Sequence, residues 1–392
     1  MKQPSFSPLI AAVLIFCFII FIPNQYLLPM VNDKTIEQAA VDLDFEMFQG
    51  EIIQKKMLEN PKYLPIYGSS ELSRLDTFHP SNYFKVNPIG VTPFLVGRGG
   101  TQSFFHFLNF ANQKEGLKNK KIIFILSPQW FDKHGVKQEV FSSNFSALQA
   151  YKFALEPKVS ERLQIEGAKR LLTFDVVNND KMLKTLLEAK IHKDKKTQMK
   201  AFMIKPFAFA FMKILEKRDL LDSIFGVHVT KLHPQPSLIK NKTWGELEKN
   251  AYEMAKRNST NNPFYIDDFY YNHKIKPKIN WLKGYKRHAS YLVSPEYQDF
   301  QMVLDVLKEA KAKPLFVSVP FNGYWYDYMG LSKKEREGYY KKIKQQIEKE
   351  GFPVLDLTNH EYDPYFLKDT MHLGYKGWLP IDKAIIEFVK HP

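Results

Sequence analysis

Short apolar runs that end at polar or glycine-rich turns limit the folds open to this chain. The clearest occupy residues 63–67, 121–126, 314–319 and 353–357. Because each run is mostly apolar and does not alternate regularly with polar residues, it is typical of a parallel strand that helices cover on both faces. Hydrophobic residues make up 44% of the chain, which is enough to fill a large core and excludes a disordered chain.

Helix signals fill the intervals between the later runs. Ser294 followed by a proline is a favoured helix start, and it predicts a helix that reaches about Lys311. Ser332 and Glu335 have the spacing of a capping box, and Gly351 suits the end of that helix. The alternation of strand and helix predicts a doubly wound α/β fold.

Residues 132–289 interrupt this alternation. The segment is rich in lysine and aromatic residues, contains helical stretches such as 204–215, and shows no convincing strand. We expect a helical insertion within the same domain, and we expect its apolar faces to pack in the core rather than against a membrane or a partner.

The amino-terminal region predicts a membrane anchor. The chain is uncharged from residue 3 to residue 30 and strongly apolar from 8 to 23, enough for one helix across a hydrocarbon core of about 30 Å. A cleaved secretory signal is the alternative, but no small-x-small cleavage site follows. Lys2 precedes the run, so the positive-inside rule favours a cytoplasmic start. We therefore expect residues 1–30 to cross the cell membrane once, and residues 31–392 to form an extracellular domain.

Composition and charge limit the kinds of molecule that this chain is expected to bind. Lys and Arg number 56 against 42 Asp and Glu, which gives a formal net charge of +14. Such an excess attracts anionic lipid or a polyphosphate polymer over about a Debye length of 8 Å. No zinc-finger spacing, helix-turn-helix pattern or RNA-binding aromatic motif points to nucleic acid. The single cysteine, Cys17, lies in the apolar run, and no HExxH motif or Cys/His cluster predicts a metal.

Two polar motifs stand where strand ends should lie. Ser70 follows the first apolar run, and Asp369 and His372 stand three residues apart between the last run and a helix. In open α/β sheets, ligands bind at the carboxyl ends of the strands. An aspartate that accepts from the imidazole Nδ1 leaves Nε2 free to take a proton from a serine. The sequence predicts Ser70 as a nucleophile, His372 as its base and Asp369 as the residue that orients the base.

Each of these motifs is weak by itself. A Gly-Ser-Ser turn often only caps a helix, and the Asp-x-x-His spacing occurs a second time at Asp76 and His79. We prefer the later pair because it follows a strand directly, as a residue at the edge of the sheet should.

Five segments together resemble the SGNH (GDSL-like) hydrolase superfamily and, more closely, the DltD family of membrane-anchored proteins that act in teichoic acid D-alanylation. The segments are YGSSELSR at 67–74, GRGGTQS at 97–103, SPQWF at 127–131, PFNGYWYDYMG at 320–330 and DTMHLGYKGW at 369–378. The resemblance covers nearly the whole chain. It implies a three-layer parallel sheet flanked by helices, a triad of Ser70, His372 and Asp369, and no cofactor.

The chain departs from the broad superfamily pattern at two positions. Ser69 replaces the usual aspartate before the nucleophile, and Gln129 stands where an asparagine is expected. The expected donors of an oxyanion hole are the Ser70 amide, a backbone amide at Gly99 or Gly100, and the side chain of Gln129. A tight strand-to-helix turn is the alternative role of the two glycines.

The resemblance implies an extracellular serine O-acyltransferase that passes D-alanyl groups to teichoic acid through an acyl-serine. The donor would come from the D-alanyl carrier protein through the membrane-bound acyltransferase DltB. An esterase or thioesterase with the same triad, and a non-catalytic protein that binds teichoic acid or the carrier, stay open as alternatives.

The aromatic loop at 320–330 is a candidate acceptor site. Its residues Asn322, Trp325, Tyr326 and Tyr328 follow a strand and should lie on the same edge as the serine. Packing against the helical insertion is an equal alternative, since Trp and Tyr rings fill cores while one polar tip stays wet.

Overall fold

A computed structural model describes residues 22–390 of the chain, without the side chain of Phe45. The expected anchor at residues 1–30 lies mostly outside this part, as does Cys17. Within residues 22–390, no helix combines the length and the apolar character needed to cross a bilayer. The anchor and the domain division at residue 30 therefore stay predictions.

Five parallel strands form the sheet at the centre of the described chain. The strands are β1 Tyr63–Tyr67, β2 Thr92–Val96, β3 Lys121–Leu126, β4 Lys313–Ser318 and β5 Val354–Asp356. Their order across the sheet is β2-β1-β3-β4-β5, and Tyr67 lies between Val96 and Phe124 in register. The four strands predicted from apolar runs are confirmed, with ends that differ by at most one residue.

The edge strand β2 is not among the strands predicted from apolar runs. Its TPFLV sequence contains Pro93, and a proline usually argues against a strand because it cannot donate a ladder hydrogen bond. An edge strand tolerates proline, since one side of its backbone has no partner strand. The backbone amide of Leu95 instead donates to the carbonyl of Ala40 at 2.8 Å, which covers part of this edge.

Helices surround the sheet and fill most of the remaining chain. In chain order they are α1 Asn24–Leu27, α2 Asp33–Ala39, α3 Phe45–Gln49, α4 Ile52–Glu59, α5 Pro80–Val86, α6 Ser103–Gln113, α7 Gln138–Asn144, α8 Ala147–Leu155, α9 Glu161–Leu171, α10 Asp175–Asn179, α11 Lys181–Ile191, α12 Lys195–Phe225, α13 Pro236–Ile239, α14 Trp244–Arg257, α15 Asp268–Tyr270, α16 Ile279–Leu282, α17 Glu296–Glu309, α18 Gly323–Tyr328, α19 Lys333–Lys349 and α20 Tyr375–Lys390. Short 3₁₀ turns include Ser70–Ser73 and Pro128–Phe131.

Successive strand residues face two separate cores. In β3, Phe124 joins the core that α6 and α17 cover, whereas Ile123 and Ile125 join the core that α5, α14 and α20 cover. Helices thus lie on both faces of a parallel sheet, which confirms the predicted α/β class.

Residues 127–312, between β3 and β4, form helices and contribute no strand. One of these helices, α14, packs against α20 and so helps to cover the second face of the sheet. The expectation that apolar faces in this segment pack in the core holds for only one side of α12. Ala208 and Met212 on that helix are buried, but Phe202 and Phe207 are exposed.

The predicted helix starts are close to the observed ones. The Oγ of Ser294 accepts from the first amide of α17 at 3.2 Å. Before α19, the Oγ of Ser332 accepts from the amide of Glu335 at 3.2 Å, but the Glu335 carboxylate accepts from Ser290 Oγ and the Tyr291 amide. The capping box therefore forms only in half, and Glu335 instead fixes the segment that carries Tyr291.

Candidate active site

Ser70 lies at the point where the strand order reverses. The chain leaves β1 at Tyr67 and enters the 3₁₀ turn Ser70–Ser73, while the neighbouring strand β3 leads to the turn that carries Gln129. In sheets of order 2-1-3-4-5, the crevice between the first and third strands is the usual ligand site. The helical segment that begins at Ser70 is only this four-residue turn, so a helix dipole contributes little to the serine.

The three residues of the predicted triad meet. The Oγ of Ser70 is 2.7 Å from Nε2 of His372, and Nδ1 of His372 is 2.7 Å from Oδ2 of Asp369. The other carboxylate oxygen of Asp369 accepts from the backbone amides of Met371 and His372, both at 2.9 Å. Asp369 is 2% exposed and His372 is 8% exposed, so the acid and the base are held in a buried turn.

The surroundings of Asp369 keep its carboxylate charged. Burial alone would raise the pKa of Asp369, but the hydrogen bond and charge of His372 and the two backbone amides lower that pKa below its ordinary value. A guanidinium nitrogen of Arg74 lies 3.6 Å from the same carboxylate. A charged Asp369 favours the tautomer with a proton on Nδ1, which leaves Nε2 as an acceptor facing Ser70.

Close backbone packing fixes the turn that carries Ser70. Gly97 has φ +147°, and a Cβ there would lie 2.0 Å from the carbonyl oxygen of Gly68. That carbonyl accepts from Thr101 Oγ1 and contacts His106 Nε2, both at 3.0 Å. The turns after β1 and β2 are thus bound to each other, and only glycine fits at 97.

The predicted oxyanion-hole residues surround Ser70. Gly100 and Gln129 line the same cleft as Ser70. A Cβ on Gly99 would lie 3.9 Å from the Cβ of Ser70, so the backbone at 99 passes close to the serine. Gly100 has φ +88°, a conformation that glycine adopts readily. Their role as donors stays a prediction.

A cleft of about 880 Å³ opens beside Ser70. Apart from Ser70 and the oxyanion candidates, its lining comes largely from the two ends of the segment between β3 and β4 and from α18. These residues include Asp132, Lys133, His134, Lys137, Tyr285, Lys286, His288, Tyr291 and Tyr326. Lysines outnumber carboxylates among them, so the cleft suits an anionic ligand.

Lys286 has two polar partners in this lining. Its Nζ donates to the hydroxyl of Tyr291 at 2.7 Å and lies 4.0 Å from a carboxylate oxygen of Asp132. Burial lowers the pKa of Lys286, and the charge of Asp132 opposes that shift. The basic lining of the cleft was not predicted from the sequence, because no motif joins positions 132–140 to positions 285–291. The net positive charge of the chain was the one sequence feature consistent with it.

The aromatic loop divides between the cleft and the core. Tyr326 lines the cleft. Trp325 is 5% exposed and packs edge-on against Phe264 with ring centroids 5.0 Å apart. The hydroxyl of Tyr328 donates to the carbonyl of Ile279 at 2.9 Å. Trp325 and Tyr328 thus pack against the segment between β3 and β4, which is the alternative given above for this loop, and acceptor binding by the loop stays a prediction.

The side chain of Asn322 is engaged in hydrogen bonds to the protein backbone. Its Oδ1 accepts from the amide of Trp325 at 3.0 Å, which caps α18, and its Nδ2 donates to the carbonyl of Phe264 at 3.0 Å. With both ends of the amide engaged and the residue buried, Asn322 offers little to a ligand.

The second Asp-x-x-His pair does not form a relay. Nδ1 of His79 accepts from the amide of Ser81 at 3.1 Å, so the ring caps α5. The ring also packs edge-on against Trp378 with centroids 4.5 Å apart, and burial lowers the pKa of His79 to about 3. A neutral histidine committed to a helix cap explains why the spacing recurs without a nucleophile beside it.

No metal site is found at the cleft within residues 22–390. Among the described residues, Asp42, Asp44 and His228 have a spacing that could suit a metal ion, but none of the three lines the cleft. The side chain of His228 contacts the carboxylate of Asp44, and its backbone amide donates to Asp42 at 2.7 Å. These contacts account for the group without an ion.

Comparison with known proteins gives a consistent match. The family model described as DltD protein matches residues 40–390. The chain is 48% identical over 390 residues to Protein DltD of Bacillus subtilis (strain 168), covering 100% of this chain and 98% of the relative. It is 32% identical over 392 residues to Protein DltD of Staphylococcus aureus (strain NCTC 8325 / PS 47), covering 100% and 97%. It is also 32% identical over 392 residues to Protein DltD of Lacticaseibacillus rhamnosus, covering 98% and 90%.

Proposed function

This chain belongs to the DltD family, and from that membership and the geometry of its cleft we propose that it transfers D-alanyl groups onto teichoic acid through an acyl-serine. Membership of the family supports the role in teichoic acid D-alanylation. The observation that carries the proposed chemistry is the chain of two 2.7 Å contacts from Ser70 through His372 to Asp369.

The first step forms the acyl-enzyme. The Oγ of Ser70 attacks the carbonyl carbon of the D-alanyl donor while its proton passes to Nε2 of His372. Asp369 stabilises the imidazolium that results, since its buried carboxylate faces Nδ1. When the tetrahedral intermediate collapses, the bond to the leaving group breaks and the proton moves from Nε2 to that group. A D-alanyl ester on Ser70 remains.

The second step transfers the acyl group. A hydroxyl of the acceptor polymer gives its proton to Nε2 of His372 and attacks the serine ester. The new ester forms on the polymer, the bond to Oγ breaks, and the proton returns to Ser70. No metal and no organic cofactor enters either step.

The oxyanion of each tetrahedral intermediate needs hydrogen-bond donors close to Ser70. We assign this role to the Ser70 amide, the backbone at Gly99 or Gly100, and the side chain of Gln129, which lie beside or line the same cleft. Fixed donors of this kind typically contribute about 10²–10³ in rate each.

The cleft also suits the acceptor. Teichoic acids are phosphate polymers, and Lys133, Lys137 and Lys286 line the opening beside Ser70. Their positive field would hold the polymer so that a hydroxyl reaches the acyl-serine. Tyr326 is the one residue of the aromatic loop assigned here to acceptor binding.

The proposal also covers location and partners. An amino-terminal span at residues 1–30 would hold the domain on the extracellular side of the cell membrane. There the D-alanyl carrier pathway would deliver the donor through DltB, and each alanyl ester would place an ammonium beside a phosphate of the acceptor.

The test is Ser70→Ala in the full chain. We expect this variant to fold and to lose polymer alanylation, and we expect the matched exposed serine variant Ser143→Ala to keep it. Alanylation by Ser70→Ala at the normal rate would overturn the acyl-serine. With purified teichoic acid, D-alanyl ester on the polymer supports transfer, whereas free D-alanine alone would show that the protein is an esterase.

A further inference from the structure

The long helix α12 presents an apolar face to solvent. Phe202 is 74% exposed and Phe207 is 71% exposed, and Met199, Met203 and Ile214 are also exposed. Positions 199, 203 and 207 recur at four-residue intervals, and position 214 lies about two turns beyond 207, so these side chains share one side of the helix. A contiguous apolar strip of this kind marks an interaction surface rather than scattered surface residues.

The opposite side of α12 is occupied by the protein itself. Ala208, Met212 and Leu220 are buried in the core beneath the helix. A surface helix of a soluble domain normally combines a buried apolar face with a polar outer face. In α12 the outer side carries large apolar side chains as well, and no other element within residues 22–390 covers them.

The amino-terminal chain meets this helix. The Nζ of Lys217 donates to the carbonyl of Ile22 at 2.5 Å, and α1 lies against α12. Tyr26 and Met30, in the chain just after Ile22, are exposed apolar side chains as well. The sequence that precedes Ile22 is uncharged back to residue 3. The helix that carries the exposed apolar face is therefore also the helix that Ile22 contacts, and Ile22 follows the apolar amino-terminal sequence.

Positive charge accompanies the apolar strip. Lys195, Lys196, Lys200 and Lys205 lie in the same half of α12, and all four are exposed. Lys196 and Lys200 stand three residues before Met199 and Met203, so lysines are interleaved with the apolar side chains. This half of the helix therefore offers an anionic bilayer both apolar area and positive charge. Each lysine near such a surface adds electrostatic attraction that salt weakens.

We propose that α12 lies in the interface of a bilayer that contains anionic phospholipid, with Phe202 and Phe207 inserted among the headgroups and upper acyl chains. The helix would lie parallel to the bilayer at a depth of roughly 5–10 Å. It would be an attachment separate from the apolar sequence at residues 3–23. Two attachments would hold the domain at one height and rotation above the lipid, whichever reaction takes place in the cleft.

The experiment is a lipid-depth measurement on the full chain in nanodiscs. In a Cys17→Ser background, Phe207→Cys carries an environment-sensitive fluorophore, and lipids carry spin labels at the headgroup or along the acyl chain. The matched control is Gln345→Cys, an exposed position on α19, which packs at the β4–β5 end of the sheet. We expect a blue-shifted emission and severalfold stronger quenching at 207 than at 345, with the strongest quenching by headgroup-proximal labels.

Lipid composition and a second variant sharpen the test. We expect quenching at 207 to fall severalfold when phosphatidylglycerol is replaced by phosphatidylcholine or when Phe202→Asp is added. Equal, water-like emission at 207 and 345 in phosphatidylglycerol nanodiscs would overturn the proposal. A blue shift without lipid quenching would overturn it too, and would assign the face to protein. If that shift depends on protein concentration in detergent, the occupant is a second copy, and if it does not, the occupant is the amino-terminal segment.

Discussion

Asp369→Asn tests the relay without disturbing the fold. In the native turn, one oxygen of Asp369 accepts from two backbone amides at 2.9 Å, and the other faces Nδ1 of His372 at 2.7 Å. The asparagine oxygen can keep both backbone contacts, and its NH₂ group then takes the position facing Nδ1. Because an amide N–H can only donate, Nδ1 must present its lone pair. The imidazole proton moves to Nε2, where it faces Ser70.

In that tautomer His372 cannot accept the serine proton. The equivalent substitution in serine protease triads lowers kcat about 10⁴-fold. We expect a loss of the same order in the acylation of Ser70, which corresponds to about 5.5 kcal/mol at about 1.36 kcal/mol for each factor of ten.

The assay is single-turnover acylation by an activated D-alanyl ester at pH 7, followed by intact-protein mass. Asp76→Asn is the matched control, because Asp76 belongs to the Asp-x-x-His pair whose histidine caps a helix instead of facing a serine. We expect the control to acylate at the normal rate and both variants to stay folded. Acylation of a folded Asp369→Asn within tenfold of the native rate would refute the relay.

Three more perturbations have expected outcomes. Burial raises the pKa of Asp219 to about 7, so the folded state keeps a proton that the unfolded state releases, and stability falls as pH rises from about 4 to 7. Asp219→Asn should flatten that decline in melting temperature, which is worth up to about 4 kcal/mol for a shift of about three pKa units, and an unchanged slope would contradict this cause. Gly97→Ala should lower the free energy of unfolding in urea by more than about 3 kcal/mol, because the new Cβ would meet a backbone carbonyl. Gly90→Ala is its control: a Cβ there meets no atom, so the loss should be only about 1–2 kcal/mol, from the positive φ. Equal losses in the two variants would contradict the steric argument. Lys133→Ala should raise the KM for teichoic acid about two- to fivefold and weaken its salt dependence, whereas Lys341→Ala, outside the cleft lining, should change neither.

The approach of Ser70, Asp369 and His372 to one another could be predicted because each of them belongs to a local motif. Ser70 follows a run that is apolar throughout, and Asp369 and His372 lie within one turn. Since the carboxyl ends of parallel strands share one edge of the sheet, predicting the strands also predicts that the motifs lie near each other. The 2.7 Å contact between Ser70 and His372 is the result of that topology.

The aromatic and basic parts of the cleft could not be predicted in the same way. Trp325 and Tyr326 are neighbours in sequence, yet the first packs against Phe264 and the second lines the cleft. Successive residues of a helix point in different directions, and only the packing of the whole domain decides which direction is the core. Asp132 and Lys286 meet for a similar reason, since they lie at opposite ends of a long helical segment with no shared motif.

The exposed face of α12 could not be predicted from the sequence either. A stretch such as 204–215 is apolar enough to fill a core from every direction. Tertiary structure buries only the side that carries Ala208 and Met212, and the side that carries Phe207 stays exposed. Sequence periodicity can locate two apolar faces, but it cannot say which of them the protein itself will cover.

The contact between Ser70 and His372 joins two distant parts of the chain. Ser70 and His372 stand 302 positions apart, and His372 directly precedes the last helix. Under the proposed mechanism, Ser70 would emerge first during synthesis and would stay an ordinary alcohol until the chain through His372 has been made and folded. Truncated products and chains clipped before α20 would lack the base and remain inert. Reactivity would therefore report that a molecule is complete, and incomplete molecules would not consume activated alanine.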